Sequence, residues 1–358
     1  MALHLEVKSR TFHFHEPAGT SRGVYRMRRS WLVYLRDDDG RAGVGECAPL
    51  PQLSCDDLPD YESILQDVCN TVASRGELDV EELRLYPSVA FGLETAFLHM
   101  KRGTPALFDT SFSRGEEGIP INGLVWMGTF DEMSRRVEEK LRQGFQCVKL
   151  KIGAIDWQLE MQLLQHIRRR FSAQDVEIRV DANGAFMPEE ALEKLDRLAR
   201  LNVHSIEQPI RSGQWQALER ICRETPVPIA LDEELIGIGS LIDKKEFLDA
   251  VMPQYLVLKP SLHGGMQGTK EWIELARARG IGTWITSALE SNVGLNAVAQ
   301  LAAHVYGSHI DFPQGLGTGQ LFADNLPSPL EIRGEKLWFL PTKKGHTWML
   351  RPLTQSDN

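Results

Sequence analysis

The sequence predicts an α/β protein: a TIM-like (β/α)7β barrel preceded by an N-terminal α+β capping domain. Three observations carry that expectation. From about Pro120 short aliphatic runs alternate with amphipathic stretches. Ionisable residues recur at the ends of successive runs, one βα unit apart. The first 118 residues lack this beat and read as strands followed by helices.

The capping domain is expected over residues 1–118. LHLEVKSRTFHFH and SWLVYLRDDDGRAGVGECAP predict strands, with a hairpin turn near Asp39-Gly40. Helices are predicted over 61–75, 80–85 and 88–101. The barrel is expected over 119–322. INGLVW leads to a helix over 131–142, CVKLKIG to 157–170, EIRVDAN to 188–201 and HSIEQPI to 215–224. PIALDEEL leads to 241–250, YLVLKPS to 270–279 and GTWITSALES to 293–304, and SHIDFPQ supplies an eighth strand. The strands are rich in Val, Ile and Leu, which suits a parallel sheet covered on both faces. Leu192, Leu195, Leu198 and Ala199 fall on one side of their helix, and a Pro followed by acids opens it. A doubly wound open sheet shares the alternation, but no GxGxxG follows the first strand. Residues 323–358 hold a short strand, KLWFLP, and a polar tail, and are expected to pack back on the capping domain.

With 358 residues the chain is long enough for a large barrel plus an accessory domain. No apolar run is long enough for a bilayer, and no secretory signal is expected from MALHLEVKSRTFHF. A net charge of −9 without a basic cluster argues against nucleic acid as a partner. The five cysteines (Cys47, Cys55, Cys69, Cys147, Cys222) show no CxxC pairing. That pattern predicts a reducing, cytoplasmic location rather than a disulfide framework or a zinc site.

The strand ends carry the chemistry. EIRVDAN ends near Asp181, HSIEQPI near Glu207, PIALDEEL near Asp232 and YLVLKPS near Lys259, at spacings of 26, 25 and 27 residues. Val180, Ile206, Leu231 and Leu258 precede them, so strand parity sends the aliphatics toward the helices and the charges into the barrel. These are the C-terminal strand ends, where barrel enzymes keep their sites. Three convergent carboxylates need a counter-charge, and an all-oxygen set favours Mg²⁺, with Mn²⁺ as a substitute. A lone acid of this kind is more often a loop residue or half of an ion pair; three in phase argue otherwise. Asn183, two residues beyond Asp181, shares its parity and is expected to support the site.

In VKLKIG, Lys149 and Lys151 share one face while Val148, Leu150 and Ile152 share the other. A free lysine, with a pKa near ~10.4, is a poor base at neutral pH. Burial and a neighbouring ammonium both disfavour its charged form, so the pair is expected to supply a base, with Lys259 facing it across the metal. Phosphate binding by the pair is the other reading. Metal, base and opposite lysine suggest removal of the α-proton of a carboxylate and stabilisation of the resulting enediolate. Ser287 and the backbone amides of Gly315, Gly317 and Thr318 are candidates for binding substrate carboxylates, and Arg22, in a loop with Thr20 and Ser21, for closing over the mouth.

The KxK pair, the three acids and Lys259 resemble the enolase superfamily, in its muconate-lactonising subgroup, over nearly the whole chain. The resemblance implies an enolase-like fold with Lys151 as acid/base, Lys149 lowering its pKa and Lys259 on the opposite side of the intermediate. No His base follows the seventh strand, where TSALES stands. PAGTSRG, GECAPLPQLS, DANGAF, LKPSLHGG, SALESNVGLNA and GLGTGQLF resemble members that dehydrate a succinyl-hydroxycyclohexadiene carboxylate for menaquinone synthesis. The partner implied is a small-molecule carboxylate, with no nucleic acid or membrane and with homo-oligomerisation left open. Racemisation of an N-acylamino acid is the nearest rival. Dipeptide epimerisation fits less well, because IDFPQGLG holds a single Asp311 where an Asp-x-Asp is expected. From other classes, a Schiff-base aldolase has no need of three acids in phase, and the intact lysine and acid set argues against a scaffold protein.

Overall fold

The computed structural model describes residues 2–20, 23–153 and 156–341. The capping domain begins with three antiparallel strands, β1 (Leu3–Thr20), β2 (Gly23–Asp37) and β3 (Ala42–Cys47). Gly40, with φ +81°, turns the chain between β2 and β3, where the Asp39-Gly40 turn is expected. Helices α1 (Tyr61–Arg75) and α2 (Pro87–Arg102) follow. The helix expected over 80–85 is a single 3-10 turn at Glu81–Leu83. A Cβ at Gly43 or Gly45 would collide with the carbonyl oxygens of Ala96 and Gly92, so glycine there lets α2 lie directly on β3.

β4 (Ile119–Pro120) then leads into the barrel. Its elements alternate as β5 (Gly123–Val125), α3 (Phe130–Arg142), β6 (Cys147–Lys151), α4 (Trp157–Arg170), β7 (Glu177–Asp181) and α5 (Pro188–Ala199). They continue as β8 (Ser205–Glu207), α6 (Trp215–Glu224), β9 (Ile229–Leu231), α7 (Leu241–Val251), β10 (Tyr255–Leu258), α8 (Gly265–Arg277), β11 (Gly282–Ile285) and α9 (Asn292–Tyr306). β5 to β11 form one parallel sheet in sequence order. The eighth strand expected in SHIDFPQ is reduced to parallel bridges, Ile121 with Gln314 and Thr286 with Gly315, which join β11 to the start of β5. Pro313 has no N–H to give a ladder, and His309 turns with φ +62°, so this segment closes the barrel at its last residues only. β12 (Leu330–Arg333) pairs with β13 (Lys336–Phe339), and β13 pairs with β4. Residues 323–341 thus touch the cap through Leu326, which packs with Phe12, Leu32 and Tyr34, and touch the barrel entrance through β13.

Strand parity sorts the barrel as expected. Val148, Leu150, Val180, Ile206, Leu231 and Leu258 join the core between sheet and helices. On the inner face Lys151 is in register with Asp181, and Asp181 with Glu207. Beneath that row, Ala230, Val257 and Trp284 form a separate apolar cluster with Tyr255 and Phe312. The guanidinium of Arg179 lies 4.2 Å from the Phe312 ring centre and 4.7 Å from that of Trp284, and donates to Glu177 and to the Pro313 carbonyl. Among the described residues no helix is long and apolar enough to cross a membrane.

Cap and barrel meet along two polar seams. In one, Arg84 of the cap donates to Glu271 on α8 at 3.0 Å and to the Gly239 carbonyl at 2.7 Å, and Lys244 donates to Glu271 at 2.8 Å. Beside them Glu94 on α2 accepts from the backbone N–H groups of Met266 and Gln267, at the start of α8. The other seam joins Arg28 and Glu46 of the cap to the loop between β11 and α9.

Candidate active site

β7, β8 and β9 end side by side, and Asp181 and Glu207 at the ends of β7 and β8 and Asp232 just after β9 are each at most 2% exposed. Lys149 Nζ donates to Glu207 Oε2 and stands 3.3 Å from Asp181 Oδ2. Lys151 Nζ donates to Asp181 Oδ2 at 2.8 Å and to Asn183 Oδ1 at 2.6 Å. Lys259 Nζ donates to Asp232 Oδ2 and lies 3.9 Å from Glu207 Oε1. The three lysines and three acids singled out in the sequence therefore meet in one cluster. Asn183 joins them: its Nδ2 donates to Glu233 Oε1 at 2.8 Å. It has φ +44° and Gln208 has φ +42°, left-handed conformations that side chains adopt at a cost.

Electrostatics in this cluster follow burial and neighbours. Burial, and next the Asp181 charge, push Glu207 up to about 8. Burial would also raise Asp181, but the Lys151 and Lys149 ammonium groups hold it below its ordinary value. Asp232 is held well below by the same balance, with Lys259 the strongest opposing charge. Burial lowers Lys149, yet Glu207 and Asp181 outweigh burial and hold it above its ordinary value, because the carboxylates touch it. Lys259 is raised likewise by Asp232 and Glu207 against burial. Behind Lys259, His263 Nδ1 accepts the Lys259 N–H at 2.9 Å, and burial pushes the ring down to about 3, so it is neutral.

Among the described residues no three His, Cys, Asp or Glu side chains stand as a ready coordination shell, since Lys149 and Lys259 occupy near oxygens of all three acids. The donor set still fits a hard divalent cation. It is all oxygen and buried, and among the described residues Glu207 Oε1 has no hydrogen-bond partner. The crowding that lifts Glu207 is also what a further positive charge relieves.

The cluster opens into a cavity of about 860 Å³, counting the solvent at its mouth. Lys149, Lys151, Asp181, Asn183 and Lys259 line it, as do Ser287, Gly315, Gly317 and Thr318. Their availability differs. The Ser287 hydroxyl donates to Glu290 at 2.6 Å and accepts from the Leu289 N–H, and the Gly315 N–H is donated to the Ile285 carbonyl. Thr318 Oγ1 is buried and has no hydrogen-bond partner among the described residues, which leaves the hydroxyl for a ligand. Arg22 lies outside the described residues. Sequence reasoning missed the apolar walls: Tyr25, Leu50 and Leu53 from the cap, Leu124, Trp126, Trp284 and Leu289 from the barrel, and the polar Asn122. Parity of INGLVW places Asn122, Leu124 and Trp126 on one face, a signal that was there to read.

Fold and site together define an enzyme of the enolase superfamily. A family model described as Enolase C-terminal domain-like matches residues 132–348, another described as MenC, N-terminal domain matches residues 21–100, and the chain belongs to this family. It is 46% identical to the o-succinylbenzoate synthase of Desulfotalea psychrophila, over 90% of this chain and 95% of that protein. The crystal structure of MenC from that organism matches with a TM-score of 0.80 at 41% identity, covering 94% of this chain and 100% of that one. The L-Ala-D/L-Glu epimerase of Bacillus subtilis shares the fold: its substrate-liganded structure has a TM-score of 0.81 at 22% identity, covering 95% of this chain and 96% of that one. Enzymes of this family generally depend on a divalent metal.

Proposed function

We propose that this site dehydrates 2-succinyl-6-hydroxy-2,4-cyclohexadiene-1-carboxylate to o-succinylbenzoate in menaquinone biosynthesis, which makes the chain an o-succinylbenzoate synthase, a hydro-lyase. The observation that carries the chemistry is that Lys151 on β6 and Lys259 after β10 line one cavity from either side of the Asp181, Glu207 and Asp232 trio. The similarity to the Desulfotalea synthase across both domains supports the substrate.

Asp181, Glu207 and Asp232 are the residues that would hold Mg²⁺, or Mn²⁺ in its place, once Lys149 and Lys259 give up the oxygens they hold. Bound there, the ion supplies positive charge against the substrate carboxylate as its negative charge grows. Lys151 Nζ, oriented by Asn183 Oδ1, takes the proton from the ring carbon that bears the carboxylate. The C–H electron pair becomes a ring double bond, and the hydroxyl on the neighbouring carbon departs with its own bonding pair. Lys151 returns the proton to that leaving oxygen, and water forms. Aromatisation drives the second step, so a single lysine serves both. Lys149 keeps positive charge beside Lys151, and Lys259 keeps an ammonium on the other face of the ring. The Thr318 hydroxyl and the Gly317 backbone, both in the cavity lining, bind the substrate's carboxylates in this reading. Five free cysteines suit a cytoplasmic enzyme.

Two lysines facing one cavity from opposite strands would equally serve two-base racemisation of an N-succinylamino acid. The deciding assay follows both reactions in parallel. The expected result is Mg²⁺-dependent dehydration that is abolished by EDTA, restored by added Mg²⁺ and lost in Lys151→Ala. Racemisation without dehydration would overturn the substrate and leave both lysines in place.

A further inference from the structure

The dehydration chemistry makes no use of the buried polar seam at Arg28. This side chain, on β2, is 2% exposed and does not line the cavity. One terminal nitrogen donates to the Ala288 carbonyl and the other to the Ala48 carbonyl. Ala48 opens the turn that carries Leu50 and Leu53 into the cavity, and Ala288 stands in the cavity wall between Ser287 and Leu289. One planar guanidinium thus pins a piece of wall from each domain, which a flexible ammonium on a single line of approach cannot do.

Two buried carboxylates face it. Glu290 accepts from the Ser287 hydroxyl at 2.6 Å, the Ala288 N–H at 2.8 Å and the Ser261 hydroxyl at 2.5 Å. Glu46 accepts from Ser30, from the Ser291 N–H and hydroxyl, and from the Gly294 N–H. Burial disfavours the Arg28 charge and holds its pKa below the ordinary value, and these two carboxylates oppose that effect. The segment so held is strained: Leu289 has φ +66°, a left-handed conformation for a branched residue. The Leu289 N–H is donated to Ser287 Oγ at 3.0 Å and the carbonyl just before it is taken by Arg28, so both polar ends of that peptide are clamped.

We propose that Arg28 is a positioning residue for substrate binding, which holds the Ala288–Leu289 peptide in the conformation that completes the apolar wall between cap and barrel. The inference rests on the dehydration reading of the site. Without the guanidinium two buried carbonyls lose their donor, and Leu289 is free to leave its left-handed φ. The wall then opens, while Lys151 and Lys259 keep their own partners and their chemistry.

The experiment compares Arg28→Met, Arg28→Lys and Arg84→Met in the Mg²⁺-loaded enzyme, reading KM, kcat, melting temperature and the Kd of o-succinylbenzoate by calorimetry. Arg84 is the control, an interdomain arginine whose partners do not line the cavity. Arg28→Met should raise KM and product Kd about tenfold, the effect of roughly one unsatisfied buried group, with kcat within about threefold. Arg28→Lys should recover part of that rise, and Arg84→Met should lower the melting temperature with KM unchanged. A fall in kcat at constant KM, or an equal rise of KM in Arg84→Met, overturns the proposal. Should Arg28→Met fail to fold, Arg28→Lys decides: a raised KM with kcat kept supports it, and a wild-type KM overturns it. Wild-type protein without dehydration defeats the reaction assignment before any variant is made; if it racemises instead, the same KM split is read on that substrate.

Discussion

The two seams between cap and barrel use the same residue types to different ends. Around Arg28 the partners are buried, and the bonds go to the backbone of loops that line the cavity. Around Arg84 the Arg84–Glu271 pair keeps contact with water, 25% exposed for Arg84 and 15% for Glu271, although Lys244 beside it is buried, and the bonds tie helices and turns away from the cavity lining. Burial sets what a lost partner costs: an orphaned donor in a dry seam is expensive, and a solvated ion pair contributes little. The first seam therefore fixes the shape of the site, and the second adds a weaker tie between the domains.

Removing Glu290 should separate the two most sharply. Glu290→Ala strands the Ser261, Ser287 and Ala288 donors, and Ser261 is two residues from Lys259. Denaturant unfolding should show a loss of about 3 kcal/mol, with kcat/KM down by roughly 10- to 100-fold. Arg84→Met should cost about 1 kcal/mol in the same measurement and leave kcat/KM near wild type. Equal effects from the two variants would erase the distinction.

Two weaker effects have opposite signs. Hydrogen bonds from Arg84 and Lys244 outweigh burial and hold Glu271 down at about 2, against 4.5 for a free glutamate. Its contribution to stability is present above pH 4.5 and is lost as pH falls toward 2. Burial pushes Glu94 up to about 7, against the two N–H groups it accepts, so its contribution is present below pH 4.5 and is lost as pH rises toward 7. Melting temperature measured against pH should lose the acid-side slope in Glu271→Gln and the slope between pH 4.5 and 7 in Glu94→Gln. A variant that keeps the wild-type profile would remove that carboxylate from the account.

The repeat of one βα unit made the barrel and its charged row readable in the sequence, because strand parity and spacing are local properties. The seams were not readable. Arg28 and Ala288 are 260 residues apart, and nothing in either stretch names the other. Helix α8 is a second case. It was expected from Lys270, yet it begins at Gly265, where glycines weaken helix propensity. Glu94 in the other domain accepts its first N–H groups and offsets that weakness. The eighth strand was overdrawn because SHIDFPQ is apolar enough for a strand, while Pro313 cannot donate to one. The carboxylates that touch Lys149 and hold its pKa up are likewise invisible from its own strand, where only the neighbouring lysine can be read.

Arg179, Trp284 and Phe312 plug the barrel axis below the charged row, which turns a tube into a cup. The cup opens on the side of the charged row, toward the cap. The water released by dehydration and the planar product leave by the doorway through which the bent, hydrated substrate came, past walls that Arg28 and Glu290 keep standing. Traffic is one-way in time rather than in space, so a narrower rim slows entry and departure together.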